Sequence, residues 1–250
     1  MKTLQDKVAV VTGAGSGIGR SIAIDYANNG AKVVVSDINE QGGQETVDQI
    51  VALGGTACFQ YANVANMEDH IALVERAVSE YGRLDIACNN AGVSHELHAT
   101  GDITVDSWKF VMEVNLSGVF YGMKTQIEQM RKNGGGSIVN IGSVLSQRGF
   151  SGAGAYVASK HAVIGLTKNA ALDHAGENIR VNCVGPAYVN TPLVTAALND
   201  EQVEGLKVLH AVGRLGEEQE IADVVTFVSS DKASFITGNY YAADGGYLIR

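Results

Sequence analysis

TGAGSGIG, residues Thr12–Gly19, lies between an apolar run at 7–12 and a segment with helical periodicity at 17–29. The apolar run, KVAVVT, predicts a strand that is buried on both faces of a parallel sheet. A pyrophosphate bound at a helix N-terminus must lie against backbone N–H groups, so glycine is needed where side chains would hold it away. The spacing of Gly13, Gly17 and Gly19 is GxxxGxG and not the common GxGxxG. Because this turn joins a first strand to a first helix, we interpret it as a dinucleotide-binding turn, the alternative being a flexible connection.

Outward from this turn, short β-branched runs alternate with longer amphipathic segments along the whole chain. Strands are predicted at 7–12, 31–37, 56–62, 84–89, 137–142, 179–184 and 239–243, and helices at 17–29, 40–53, 67–81, 104–132, 154–175 and 218–230. This alternation implies parallel strands joined by right-handed crossovers. We therefore predict an α/β protein with a Rossmann-like doubly wound fold, about seven parallel strands and helices on both faces. Residues 1–250 are expected to form a single domain, with an irregular or helical substrate loop at about 187–211.

The charge and composition bear on the possible partners. The net charge of −9 argues against nucleic acid and anionic membranes, the alternative being that the acidity merely aids solubility, and no apolar run approaches the length of a membrane span. The cysteines Cys58, Cys88 and Cys183 form no CxxC pair, which indicates small buried side chains in a reducing, cytoplasmic environment. His95 and His98 lack a third ligand at suitable spacing, so we expect no metal and place them at the edge of a substrate pocket.

Asp37 ends the second predicted strand, 18 residues after Gly19. A carboxylate at this position accepts hydrogen bonds from both adenosine ribose hydroxyls and repels the 2′-phosphate of NADP. No cation at Ala14, Gly15, Ser16 or Ile38 compensates for that repulsion. The residue therefore favours NAD over NADP, although a solvated carboxylate at a strand end is the alternative.

Three further residues carry a candidate proton-transfer site. Tyr156 and Lys160 are four apart on a predicted helix, which stacks them on one face. A nearby ammonium favours the phenolate form of a tyrosine, but such a pair also occurs on solvated helix faces. Ser143 follows the fifth predicted strand, at the sheet edge where doubly wound folds bind ligands. Its hydroxyl could donate to a substrate oxygen that gains negative charge, or it could simply cap a local turn.

Taken together, these motifs resemble the short-chain dehydrogenase/reductase family over residues 4–247. Ser143, twelve intervening residues, Tyr156, three more and Lys160 match the family's catalytic pattern. The remaining matches are TGAGSGIG at 12–19, Asn89-Asn90-Ala91-Gly92 after the fourth strand, Asn115 in the following helix, and Asp244-Gly245-Gly246 near the C-terminus.

The resemblance implies a role for each matched residue. Tyr156 would exchange a proton with the alcohol or ketone, and Ser143 would orient the substrate oxygen. Lys160 would support Tyr156 and bind the nicotinamide ribose, and Asn115 would hold a water that links Lys160 to solvent. A tetramer is implied, with the helices that carry Asn115 and Tyr156 packing across subunits. The implied contacts to NAD are Gly13, Ser16, Gly17, Ile18, Gly19, Asp37, Asn63, Val64, Asn90, Ala91, Gly92, Tyr156, Lys160, Pro186, Val189 and Thr191.

Two departures from the family pattern concern the cofactor and substrate sites. Asn63 replaces the usual aspartate before Val64, and its amide oxygen could still accept a hydrogen bond from the adenine amino group. Ala187 follows Pro186 where glycine is usual, which narrows the space beside the nicotinamide.

The predicted substrate is a secondary alcohol or ketone, and the chain resembles most the family's NAD-dependent alicyclic alcohol dehydrogenases. Segments 93–97, 144–152 and 187–211 are expected to shape the pocket. Their apolar residues indicate a small hydrophobic compound; these are Leu145, Phe150, Leu193 and Leu209. The alternatives are a ketoreductase acting on a carrier-bound 3-oxoacyl thioester and a non-catalytic dinucleotide-sensing protein. Trp108 and Phe110 are expected to serve in helix packing.

Overall fold

The computed structural model describes residues 2–191 and 199–250. Its strands and helices alternate as the sequence predicts, because β-branched runs form the strands and amphipathic segments form the helices between them. The strands are β1 (Val8–Thr12), β2 (Lys32–Asp37), β3 (Thr56–Tyr61), β4 (Ile86–Asn89), β5 (Gly136–Ile141), β6 (Ile179–Pro186) and β7 (Tyr240–Ala243). The helices are α1 (Gly17–Asn28), α2 (Glu40–Ala52), α3 (Met67–Tyr81), α4 (Val105–Met112), α5 (Gly118–Asn133), α6 (Gly154–His174), α7 (Asp200–Lys207) and α8 (Glu218–Ser229).

The seven strands form one parallel sheet in the order β3-β2-β1-β4-β5-β6-β7. The strand order reverses between β1 and β4, so their carboxyl ends leave a crevice in which doubly wound sheets bind ligands. TGAGSGIG leaves β1 at this reversal, and Asn89-Asn90-Ala91-Gly92 leaves β4 beside it. The predicted doubly wound fold is confirmed.

Apolar side chains from both faces of the sheet form two cores. One face packs against α1 and α8 through residues such as Ile22 and Val225. The other packs against α3, α5 and α6 through residues such as Leu73, Met123 and Val163. Within residues 2–191 and 199–250, no helix has both the length and the apolar character needed to cross a membrane.

A buried polar network crosses the second core. The side-chain amide of Asn89 on β4 donates to Asn140 Oδ1 at 2.9 Å and to Gln126 Oε1 at 3.1 Å. Asn140 on β5 donates in turn to the Thr167 hydroxyl on α6 at 2.9 Å. Because buried polar groups are costly without partners, this network fixes β4 and β5 against α5 and α6.

Two details of the fold differ from the prediction. The helix expected at 104–132 runs through without a break but is not regular, because a π-helical turn at Glu113–Ser117 joins α4 to α5. Cys58 is only partly buried, since β3 is an edge strand, whereas Cys88 and Cys183 are buried. Burial raises the pKa of the Cys183 thiol to about 12, which keeps it protonated.

Candidate active site

The dinucleotide-binding turn is held by backbone geometry and by Asn90. Gly13 and Gly17 have φ angles of 61° and 58°, in the left-handed region that favours glycine. A Cβ added at Gly19 would overlap the Gly13 carbonyl oxygen, so the turn packs against the start of α1 only without one. The Asn90 side-chain amide donates to the Thr12 and Gly13 carbonyls at 2.9 and 3.1 Å.

The N-terminus of α1 is free of the usual side-chain cap. Ser16 occupies the cap position in extended backbone geometry and makes no capping hydrogen bond, and the first turn of α1 carries no acidic residue. Helix N-terminal N–H groups without such a partner form a site for anions such as phosphate. The turn therefore fits a pyrophosphate at Ser16, Gly17 and Ile18.

Asp37 lies directly beside this turn. Its carboxylate accepts hydrogen bonds from the backbone N–H groups of Gly15, at 2.8 Å, and Asn39, at 2.9 Å. These bonds orient the carboxylate next to the turn and leave lone pairs for further donors. The guanidinium of Arg20 lies nearby and is held by the Gly15 and Gly42 carbonyls, the Thr46 hydroxyl and Glu45.

Asn63 and Val64, which follow β3, are held in place by hydrogen bonds to Ala65 and His70. The Asn63 side-chain oxygen accepts from the Ala65 N–H at 3.1 Å, which still leaves a lone pair. The Val64 carbonyl lies 2.9 Å from Nε2 of His70, a buried histidine whose pKa is lowered by desolvation. A backbone segment held in this way is a suitable wall for a flat ligand.

Tyr156 and Lys160 lie one turn apart on α6, as their spacing predicts. Lys160 is 4% exposed, and its Nζ donates to the Ile141 carbonyl at the end of β5 at 2.8 Å. The same Nζ lies 5.6 Å from the centre of the Tyr156 ring. The burial of Lys160 and its position over the ring exclude the alternative of a solvated helix face.

Ser143 follows β5 and is 8% exposed. Its Oγ accepts a hydrogen bond from the Leu145 N–H at 3.1 Å, so it does cap the short turn at Val144–Ser146. Its carbonyl accepts from the Tyr240 hydroxyl at 2.9 Å. Because Oγ is the acceptor in the Leu145 bond, its own hydrogen is available to donate, and the cap also orients the hydroxyl.

Asn115 is fully buried in the π-helical turn. Its side chain accepts from the Val93 N–H and donates to the Val93 carbonyl, both at 2.8 Å. A Cβ added at Gly92 would lie 3.3 Å from Asn115 Oδ1 and 3.6 Å from Lys160 Nζ. The segment after β4, Asn115 and Lys160 therefore meet at one place, although the water expected at Asn115 stays a prediction.

Beyond β6, the chain returns towards the dinucleotide-binding turn. Val189 pairs with Gly216, and Asn190 N–H donates to the Gly216 carbonyl at 2.8 Å. A Cβ added at Gly17 would lie 3.9 Å from the Thr191 side chain. Val189 and Thr191 thus lie on the side of the crevice that faces α1, and the contacts of Pro186, Val189 and Thr191 with a cofactor stay a prediction. Leu193 falls outside the described residues.

Comparisons with known proteins identify the family. A family model described as enoyl-(acyl carrier protein) reductase matches residues 13–248. Cyclohexanol dehydrogenase of Acinetobacter sp. (strain SE19) is 48% identical over 245 residues, which cover 98% of this chain and 96% of that protein. 2,5-Dichloro-2,5-cyclohexadiene-1,4-diol dehydrogenase of Sphingobium indicum (strain B90A) is 40% identical and covers 99% of each. The chain belongs to the short-chain dehydrogenase/reductase family.

A solved structure agrees with this assignment. It is assigned as an NAD(P)-dependent gluconate 5-dehydrogenase from Beutenbergia cavernae with NADP bound at low occupancy. It matches with a TM-score of 0.93 and 35% identity, covering 99% of each chain. The predicted family, fold and oxidoreductase class are confirmed, and dehydrogenases of the short-chain dehydrogenase/reductase family use a nicotinamide dinucleotide.

Within this short-chain dehydrogenase/reductase, sequence reasoning missed part of the surroundings of Tyr156. Tyr156 packs against a small buried cluster of Val144, Leu145 and Tyr247, and Ala187 and Tyr188 pack against the same cluster. Burial, followed by the neighbouring Tyr247 and Tyr156, raises the pKa of Tyr188 to about 12. Tyr188 stands two residues after Pro186, at the carboxyl end of a sheet strand, and that position was the available signal. Tyr247 had no such signal, because it reaches the site from the C-terminus.

Near Tyr156, a backbone hydrogen bond connects two of the segments that were expected to shape the substrate pocket. The His98 N–H donates to the Gly152 carbonyl at 3.0 Å, which brings the segment after Gly92 against the segment after Ser143. His98 also lies 3.5 Å from Glu96. Phe150 and Leu209 are more than a third exposed, so they do not close the pocket in the single chain.

Proposed function

We propose that this chain is an NAD-dependent oxidoreductase that interconverts a secondary alcohol, alicyclic or otherwise small and hydrophobic, and its ketone. The arrangement of Tyr156, Lys160 and Ser143 carries this proposal. A buried ammonium lies 5.6 Å from the Tyr156 ring, and an oriented serine hydroxyl ends the adjoining strand. Such a set serves proton transfer at a carbon that bears oxygen.

Tyr156 is the group that moves the proton. Its phenolic oxygen takes the proton from the alcohol in oxidation and returns one to the ketone oxygen in reduction. Lys160 places its positive charge beside the Tyr156 ring, where the charge is poorly screened because the side chain is buried. Ser143 donates to the same substrate oxygen and holds it in position. Asn115 supports the relay of protons between Lys160 and solvent.

The crevice fits a nicotinamide dinucleotide at three places. The uncapped N-terminus of α1 suits the pyrophosphate, Asp37 suits the adenosine ribose, and the segment from Pro186 to Thr191 suits the nicotinamide end. Asn63, Val64 and the residues Asn90, Ala91 and Gly92 border the adenosine side. The cofactor supplies the hydride acceptor when it is bound.

Asp37 supports NAD over NADP. Its carboxylate is fixed beside Gly15, where a 2′-phosphate would meet a like charge. Arg20, the nearest cation on α1, is already used by two carbonyls, a hydroxyl and Glu45. Its release to bind a phosphate would leave the Gly15 carbonyl without this donor, which is unfavourable.

The apolar surroundings of Tyr156 support a small hydrophobic substrate. The two relatives above are named as dehydrogenases of cyclohexanol and of a dichlorinated cyclohexadiene diol, and both of these compounds are cyclic alcohols. The rival is a ketoreductase for carrier-bound 3-oxoacyl thioesters, a class suggested by the carrier protein in the family model's description. That rival expects NADP and a basic docking patch, which Asp37 and the net charge of −9 disfavour. A dinucleotide-sensing protein without turnover would not need Tyr156 or Lys160.

The decisive test is Tyr156→Phe, which removes only the phenolic oxygen. We expect oxidation of cyclohexanol with NAD to fall by about 100-fold or more, because general acid–base catalysis is lost. The dissociation constant for NAD, measured by fluorescence titration, should stay within about threefold of wild type, since the change removes one hydroxyl and keeps the ring and the other expected cofactor contacts.

Tyr121→Phe is the matched control, because Tyr121 lies on α5 and hydrogen-bonds to Glu113 outside the site. It should keep wild-type turnover. Normal activity in Tyr156→Phe would refute the mechanism, and turnover by wild type only with a carrier-bound 3-oxoacyl thioester and NADP would favour the rival.

We also propose that the chain is one cytoplasmic domain that assembles as a homotetramer. All seven strands lie in one sheet, which supports a single domain. Large apolar side chains on α4 and α5 are exposed in the single chain, so the helix packing expected of Trp108 and Phe110 does not bury them within it. Their outward position follows from the packing of α4 through Val111. The exposed set is Val105, Trp108, Phe110 and Phe120.

A further inference from the structure

Beside Tyr156 lies a group of four side chains that the proton transfer does not use. We call it the arginine–aromatic cluster, and it consists of Arg148, Tyr188, His210 and Tyr247. The ring centres of Tyr188 and Tyr247 are 6.0 Å apart, and His210 lies 6.1 and 5.6 Å from them. Because Tyr188 and Tyr247 pack in the same apolar group as Tyr156, the cluster borders the place where the substrate reacts.

Arg148 is the unusual member of this cluster. Its guanidinium carbon lies 4.9 Å from the centre of the Tyr247 ring, a stacking distance. In residues 2–191 and 199–250, its N–H groups have no hydrogen-bond or ion-pair partner. Every other arginine in those ranges donates a hydrogen bond to an oxygen or forms an ion pair with a carboxylate; these are Arg20, Arg76, Arg83, Arg131, Arg180, Arg214 and Arg250. Arg148 is therefore held by stacking while its donors stay available.

His210 supplies an independent observation. It is 2% exposed, and its Nδ1 lies 2.9 Å from the Leu206 carbonyl, so that nitrogen carries a hydrogen. Its other nitrogen, Nε2, is buried and has no partner among the described residues. A buried polar atom without a partner is costly, and such atoms are common where a ligand completes the hydrogen bonding.

The hydroxyl of Tyr188 belongs to the same set of donors. Burial keeps this phenol protonated, so it can donate a hydrogen bond to an oxygen placed near Arg148 and Tyr156. A guanidinium offers paired N–H groups in a planar fork, which matches a carboxylate better than a neutral group. In a chain with a net charge of −9, an anionic substrate also needs such a local positive charge.

We propose that the arginine–aromatic cluster, anchored by Arg148, binds a carboxylate on the substrate. This inference rests on the proposed function, and it narrows the substrate class to secondary alicyclic alcohols and ketones that carry a carboxylate away from the reacting carbon. The ring then lies against the apolar residues near Tyr156, while Arg148 and Tyr188 hold the carboxylate.

The test compares three alcohols that differ in charge. These are trans-4-hydroxycyclohexanecarboxylate, its neutral carboxamide and cyclohexanol, each oxidised with NAD. We expect kcat/KM of wild type to favour the carboxylate over the carboxamide by about 10- to 100-fold, as for hydrogen bonds to a charged group. This preference should weaken with added salt, because the attraction is partly exposed.

Variants of Arg148 then test whether this residue causes the preference for the carboxylate over the carboxamide. Arg148→Met keeps the length of the side chain and should reduce the preference to within about threefold, while cyclohexanol oxidation changes by less than about threefold. Arg148→Lys should keep part of the preference, since it retains the charge without the planar fork. Gln147→Met, an exposed neighbour on the same loop, is the matched control and should behave as wild type.

Two results would overturn this inference and leave the proposed function standing. In the first, wild type oxidises cyclohexanol but has equal kcat/KM for the carboxylate and the carboxamide. In the second, Arg148→Met lowers kcat/KM for all three alcohols by the same factor. Failure of wild type to oxidise any of the three with NAD would overturn the proposed function and this inference with it. Thermal unfolding of each variant shows whether a loss reflects folding instead of binding.

Discussion

At the residue scale, the carboxylate of Asp37 has two roles, one in the structure of the dinucleotide-binding turn and one in the expected binding of the cofactor. Its bonds to the N–H groups of Gly15 and Asn39 tie the end of β2 to the dinucleotide-binding turn. The same bonds orient its remaining lone pairs towards the crevice, where ribose hydroxyls would donate. Asp37 therefore stabilises the turn even without a bound cofactor, and its role in the choice between NAD and NADP is additional.

Replacement of Asp37 by alanine should separate these tasks. We expect kcat/KM with NADP, relative to NAD, to rise by about 10-fold or more, because the repulsion of the 2′-phosphate and the ribose hydrogen bonds are both removed. Steady-state kinetics with each cofactor measure this ratio. Asp48→Ala, an exposed change on α2, controls for the loss of one negative charge. A wild-type preference for NADP would contradict the assignment.

The sequence predicted the site residues that belong to a motif of fixed spacing. It did not predict those that only the folded chain brings to the site from distant segments. Tyr156 and Lys160 were found because a four-residue separation places them on one helix face, and Ser143 because it ends a strand. Arg148 and Tyr247 have no comparable local signal, since only the folded chain stacks one on the other. The hydrogen bond that orients the Ser143 hydroxyl also depends on the turn after β5 and not on a motif.

At the scale of elements, the π-helical turn between α4 and α5 is the main departure from regular structure. It carries Asn115 into the interior, where both atoms of the side-chain amide bond to the backbone of Val93. Such turns are often found at functional sites, because they redirect one side chain without ending the helix. Here the turn connects the segment after β4 to the surroundings of Lys160.

Asn115→Ala tests this connection. We expect the free energy of unfolding to fall by about 1–3 kcal/mol, because the partly buried N–H and C=O of Val93 lose their partners. We also expect kcat to fall while the dissociation constant for NAD changes little, since the change disturbs Lys160 more than the dinucleotide-binding turn. Denaturant unfolding and steady-state kinetics measure the two effects. Ser117→Ala, in the same turn, is the control, and an equal loss in both variants would contradict the role of Asn115.

The sequence predicted the order and type of nearly all elements, because buried parallel strands and amphipathic helices have distinct periodicities. It did not predict the π-helical turn, since Val111, Val114 and Val119 keep a spacing compatible with one continuous helix. The half-exposed character of β3 was missed for a related reason. Apolar content alone does not distinguish an edge strand from a central one.

At the scale of the whole molecule, the exposed apolar side chains of α4 and α5 favour assembly. Trp108 and Phe110 are 41% and 55% exposed in the single chain, and aromatic residues are enriched at the centres of protein interfaces. We expect wild type to behave as four copies of the 26.3 kDa chain in size-exclusion chromatography with light scattering.

Trp108→Glu should produce a smaller species, because a carboxylate in an apolar interface lacks a partner. Gln44→Glu is the control, since Gln44 is an exposed polar residue on α2 and the change adds the same charge outside α4 and α5. It should keep the wild-type size. A wild-type monomer would refute the tetramer.

The amide network of Asn89, Gln126, Asn140 and Thr167 has a consequence for anyone who makes chimaeras of this chain with a relative. Its members come from β4, α5, β5 and α6, so a crossover placed between residues 89 and 167 divides a set whose members satisfy one another. A parental mismatch would leave an amide unmatched in the core even where both parents share the fold. Crossovers before β4 or after α6 keep the set from one parent, and hybrids designed in that way should express better.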